Sequence, residues 1–263
     1  MRFNDGAGST STPPTSGPSR RLIGVEVWIV LGLSLGQSAV YAVVSLVAQL
    51  TRGPLRDSIA TLNSSRSDRQ WLDLTYQLLG IGFAIVPVLL ALYLLWRDDP
   101  KLVRGMGLTD ARPVRAMSHG LLLAAVIGLP GIGVYFGGRA LGVTAEILTV
   151  PENVYWWTIV ILVLAALQNA LLEEVVMVGY LFTRLGQLGW GRWQIIVTSA
   201  ALRATYHLYQ GFGQAVGNFV MGLVFGWWYL RTRRVLPLVI AHTVLDVFAF
   251  VGVLLVGRQL GLR

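Results

Sequence analysis

Cysteine is absent from the 263-residue chain. Disulfides and thiolate metal sites are therefore excluded, and any metal would have to be held by His, Asp, Glu or water. Charge is scarce as well. Only 13% of residues are charged, about half the share of a soluble domain. What fills the chain instead is apolar: 54% of residues are hydrophobic, and they gather in long runs. Several runs approach or exceed the ~18 residues that make a spanning helix. The chain therefore reads as all-α, a polytopic integral membrane helical bundle. Its net charge of +8 does not call for nucleic acid. The basic residues flank the apolar runs, where they face anionic membrane lipid and fix topology.

Residues 1–20 are rich in Gly, Ser, Thr and Pro, the composition of a disordered tail, and no signal-peptide pattern follows it. Residues 21–263 form one membrane domain. About seven spans (six to eight) are expected, over about 22–50, 74–96, 117–136, 155–182, 193–208, 214–230 and 236–256. Pro87 kinks the second, and Tyr155, Trp156 and Trp157 form an aromatic belt at the start of the fourth. Gly222 and Gly226 have the small-xxx-small spacing that lets helices approach closely. With the N-terminus in the cytoplasm, the inner side collects thirteen Lys and Arg and the outer side seven. Glu26, near the start of the first span, reaches the interface and is given no role. His119 is expected to be solvated.

The chemistry concentrates in the C-terminal part, about residues 155–256. Glu173 and Glu174 are adjacent inside an apolar run. An ionised side chain at mid-bilayer costs about 2.5–3.5 kcal/mol on insertion scales, so a pair implies a partner charge, a cavity, a cation or chemistry. Arg203 and His207 are four apart on the next span and share a face. His242 and Asp246 do the same on the last. Glu173 and Glu174 lie about 100° apart around a helix, so one is expected to face a cavity while the other pairs with a basic group. Intramembrane polar groups on separate helices find one another, and a shared polar site is expected. By residue type alone it suits hydrolysis, a proton relay or an ion site equally.

The order Glu-Glu-x-x-x-Val-Gly-Tyr (173–180), Arg-x-x-x-His (203–207) and His-x-x-x-Asp (242–246) resembles the CPBP family, the CAAX proteases and bacteriocin-processing enzymes also called Abi. These are intramembrane endopeptidases related to the type II CAAX prenyl endopeptidase. The resemblance covers about residues 168–250. It implies Glu173 as the residue that activates water, Glu174 as its support and His207 as a contact to that water or to a metal. It implies His242 and Asp246 as the pair that orients the substrate carbonyl or holds its oxyanion. Two residues depart from the family pattern. Val178 stands where the family has Arg, and Arg203 stands where it has Phe, so Arg203 is expected to take over the pairing of the missing arginine. Should zinc be bound, Glu173, His207 and His242 are its expected ligands, although a glutamate-activated water needs no metal. The partners implied are membrane lipid and a peptide or protein substrate entering laterally. The competing readings are a proton-coupled transporter and an inactive membrane partner or immunity protein that keeps the motifs. No inverted repeat supports the first.

Overall fold

A computed structural model describes residues 18–109, 112–149 and 151–256. Most of the expected tail lies outside the described residues. Its last part begins the first helix, α1 (Arg20–Gly32), where the Ser19 hydroxyl caps the Leu22 amide. α1 and α2 (Leu35–Arg52) were expected as one span. They are instead bent by 52°. Ser34 at the break donates its hydroxyl to the Val30 carbonyl at 2.6 Å, and a Cβ on Gly36 would lie 2.7 Å from the Leu31 carbonyl oxygen. Ser and Gly close together are a common cause of sharp helix kinks.

Chain order then gives β1 (Ile59–Thr61), α3 (Gln70–Asp98), α4 (Pro100–Gly105), α5 (Pro113–Ala140) and β2 (Glu146–Leu148). β1 and β2 pair in parallel, Ile59 opposite Glu146 and Thr61 opposite Leu148. Two segments lying between the expected spans thus join in a small sheet that the all-helical reading did not include. α6 (Thr158–Leu171) runs straight into a π-helical segment, Leu172–Tyr180, and on into α7 (Leu181–Gln187). α8 (Arg192–Tyr206), α9 (Phe212–Thr232) and α10 (Leu236–Val247) follow. A π turn, Phe248–Gly252, and α11 (Val253–Val256) complete the described chain.

Among the described residues, three helices are long and apolar enough to cross a membrane: Gln70–Asp98, Pro113–Ala140 and Thr158–Gln187. The bent α1–α2 pair would make a fourth. The expected fifth and seventh spans are shorter. α8 has 15 residues, about 22 Å of helix against ~30 Å of hydrocarbon. α10 with its π turn covers Leu236–Gly252, about 25 Å.

The Thr158–Gln187 helix is the hub. Half of its apolar window is buried, against 17% for each of the other two long helices. Their outward residues, such as Phe83 and Leu129, form an apolar exterior. Every residue from Glu173 to Tyr180 is buried. Small residues set the close packing around this hub. A Cβ on Gly222 of α9 would sit 2.8 Å from the Ala200 Cα of α8, and one on Gly120 of α5 would meet Ile240 of α10. At the end of the bundle where α8 meets α9, Gly211 adopts φ +99°. Gly211 bridges Thr144, and a Cβ there would lie 2.7 Å from the Val143 carbonyl oxygen. That turn ties the chain beside His207 to the segment leading into β2.

Candidate active site

The π segment presents the acidic pair. A π turn closes i→i+5 hydrogen bonds and is found mostly at functional positions in helices. Its wider winding leaves backbone groups for neighbours to satisfy, and Ser199 of α8 donates to the Met177 carbonyl at 2.9 Å. Glu174 is completely buried, whereas Glu173 retains 8% exposure.

Arg203 of α8 enters between the two carboxylates. Nη1 donates to Glu173 Oε2 at 3.1 Å and Nη2 to Glu174 Oε1 at 2.7 Å. The guanidinium is 1% exposed and its Cζ lies 5.8 Å from the Phe225 ring centroid. This corrects the expectation that one member of the pair would do without the basic group. The planar fork of arginine carries donors on both outer nitrogens, so one side chain bridges carboxylates that point apart. Arg203 pairs with both glutamates, and Val178 is a buried apolar packing residue.

The same end of α8 supplies two more groups. The Tyr206 hydroxyl donates to Glu173 Oε2 at 2.7 Å, so this oxygen receives both Tyr206 and Arg203. His207 ends the helix and turns Nδ1 toward the Arg203 carbonyl at 2.9 Å. A carbonyl only accepts, so Nδ1 carries the hydrogen and a neutral ring presents a lone pair at Nε2. The His207 ring lies against Tyr206 with centroids 4.8 Å apart.

α10 closes the cluster from the other side. His242 Nδ1 donates to Glu174 Oε1 at 2.8 Å, and its Nε2 lies 3.7 Å from Asp246 Oδ1. The imidazole therefore has a carboxylate acceptor at Nδ1 and a second carboxyl group near Nε2. Asn169 Nδ2 donates to Asp246 Oδ2 at 3.4 Å, fixing Asp246 from one turn before Glu173. Glu174 Oε2 is buried and lacks a hydrogen-bond partner.

Glu173, Glu174, Arg203 and His242 thus meet directly. Asp246 joins through His242, and His207 through the Arg203 backbone. The expected metal set does not form. Among the described residues, the group with ligand atoms within 4.8 Å of one another is Glu173, Glu174 and His242. His207 is outside it, and its Nδ1 is engaged by the Arg203 carbonyl.

Tyr206 and Asn169 were not read from sequence. Each had a usable signal, a polar side chain in an apolar run one turn from a singled-out residue. Glu26 is a plain correction. It is a partner of a second buried cation, Arg184, with Nε to Glu26 Oε1 at 2.7 Å and Nη1 to Asp98 Oδ2 at 2.8 Å. Tyr180 also donates to Glu26 Oε1 at 2.8 Å. His119 is half-buried, with its ring edge-on to Trp228 at 5.2 Å.

These features define a membrane protein with a buried carboxylate–arginine–histidine centre held by three helices. Residues 155–248 match the family model of the type II CAAX prenyl endopeptidase Rce1-like proteins. That stretch carries all three motifs, agrees with the CPBP resemblance and points to a protease of the CAAX type. No curated protein and no solved structure matches the chain.

Proposed function

We propose that this chain is an intramembrane endopeptidase that hydrolyses a peptide bond of a membrane-associated or lipophilic peptide, with Glu173 as general base. The supporting observation is the division of labour within the acidic pair. Glu174 is sealed and committed to Arg203 and His242. Glu173 has one oxygen held by Arg203 and Tyr206 and is the member with residual exposure. Two like groups in unlike surroundings are the usual way for one site to separate a reacting carboxylate from a supporting one.

In this reading Glu173 takes a proton from a water that also donates to the His207 Nε2 lone pair. The hydroxide attacks the carbonyl carbon, and Glu173 returns the proton to the amide nitrogen as the C–N bond breaks. Arg203 keeps the negative charge of the pair compensated throughout. His242 and Asp246 orient the carbonyl. The substrate enters laterally between helices from the lipid, the N-terminus lies in the cytoplasm, and α8, α9 and α10 complete a seven-span bundle.

The test is cleavage of a library of membrane-anchored peptides by the full chain in detergent, comparing wild type with Glu173→Gln and Glu174→Gln. Glu173→Gln is expected to abolish hydrolysis with the protein still folded. Cleavage unchanged by Glu173→Gln would overturn the assignment, and a wild type that cleaves nothing but carries protons in liposomes would favour a relay.

A further inference from the structure

We propose that Arg203 is a built-in cation, its guanidinium occupying the seat in which Glu173, Glu174 and His242 would otherwise hold a divalent metal ion. The proposal rests on the hydrolytic reading only for its consequence, that the water is activated without a metal. Three observations carry it.

First, one ligand atom from each of the three side chains lies within 4.8 Å of the others. That is the spacing of donors that converge on one ion, allowing for small adjustments toward zinc distances of about 2.0–2.2 Å. Second, Glu174 Oε2 is fully buried with no partner. A carboxyl oxygen left bare in the interior is an open ligand position. Third, the direction from which an ion would bind is already taken. Nη1 and Nη2 of Arg203 each contact one carboxylate. A guanidinium does not lose its charge in a protein, so it cannot yield the seat by deprotonation, and a divalent ion beside it would meet a like charge at contact distance. α9 bars its retreat. A Cβ on Gly222 would lie 3.5 Å from the Arg203 Cδ, and Phe225 covers the guanidinium. The residues present therefore do not fit a metal while Arg203 is in place, and they do fit one once it is gone.

The experiment is a cobalt(II) titration of the purified full chain in detergent, read by visible d–d absorbance, by metal content after desalting and by melting temperature. Wild type is expected to retain no cobalt and to melt at an unchanged temperature. Arg203→Met is expected to retain one cobalt per chain and to gain about 5 °C at saturating metal, and adding Glu174→Gln is expected to remove both effects. Stoichiometric binding by wild type that depends on Glu174 would overturn the proposal. So would an Arg203→Met protein that elutes as a folded species and binds none. Should Arg203→Met fail to fold without metal, its recovery when cobalt is present during growth and extraction supports the proposal, and failure to recover counts against it. None of these readings uses peptide cleavage. A wild type without hydrolytic activity would thus sink the proposed function and leave this inference standing.

Discussion

Replacing Arg184 with Met tests whether the second buried cation holds the bundle together. Arg184 is 0% exposed. It joins α7 to Glu26 of α1, to Asp98 of α3, to Gln187 one turn on and to the Leu94 carbonyl. Removing one partner of a buried ion pair costs about 3–5 kcal/mol, because the remaining charge is stranded. The low end applies here. Glu26 keeps the Tyr180 hydroxyl and Arg97 at 3.6 Å, and Asp98 keeps Arg97 at 3.0 Å. About 3 kcal/mol corresponds to a fall in melting temperature of roughly 6–12 °C for a chain of this size. The measurement is thermal unfolding in detergent followed by circular dichroism. A second variant sharpens it. Arg184→Met with Glu26→Met replaces charges by apolar groups of similar volume, a change that is often neutral or stabilising. The double variant should therefore be more stable than Arg184→Met alone. A single variant within about 1 kcal/mol of wild type, or a double variant that loses further stability, would refute the latch.

Tyr206→Phe deletes one donor to Glu173 without changing the packing against His207. Hydrogen bonds to charged groups are worth about 1.5–3 kcal/mol, so kcat for peptide cleavage should fall at least about tenfold with KM little changed, and equal kcat would remove Tyr206 from the site. Gly222→Ala forces a Cβ to 2.8 Å from the Ala200 Cα; it should cost about 1–3 kcal/mol and lower activity by displacing Arg203, both read on one preparation. Glu152 accepts from the Ser65 amide at 2.9 Å, which holds its carboxyl below the usual 4.5. A depressed pKa stabilises the fold above the unfolded value and loses that effect as pH falls through the folded one. Wild type should therefore melt above Glu152→Gln at pH 6, with the difference shrinking as pH drops below about 4.5.

The helices were largely legible because apolar runs in a membrane have few alternatives. α3, α5, α8 and α9 each begin and end within a few residues of the expected spans. The gathering of Glu173, Glu174, Arg203 and His242 was legible for the same reason, since charged groups in apolar helices must meet. What could not be read was local geometry. The kink at Ser34 depends on how one hydroxyl is used. The π winding of Leu172–Tyr180 shifts side chains around the axis with no compositional mark. Glu26 looked harmless because it sits close to a span's end, and only the tertiary fold brings Arg184 to it across most of the chain.

The two buried arginines flank the same π segment, and their surroundings separate a clamp from a reactive centre. Arg184 is matched by Glu26 and Asp98, which in turn share Arg97. Two cations face two anions there, and no histidine takes part. Around Arg203, one guanidinium faces both Glu173 and Glu174, with His242 completing the contacts to Glu174 and Asp246 lying beyond it. Three carboxyl groups against one permanent cation leave a centre whose charge depends on protons on His242 and the carboxyls. A purely structural pair gains nothing from that imbalance and is usually no better than an apolar substitute. A centre that must take a proton from water and return it needs a carboxylate not fully spent on its counterion. Glu173, which retains some exposure and has its donors on a single oxygen, meets that requirement, whereas Glu174 is sealed and Glu26 has its second oxygen facing Arg97 at 3.6 Å.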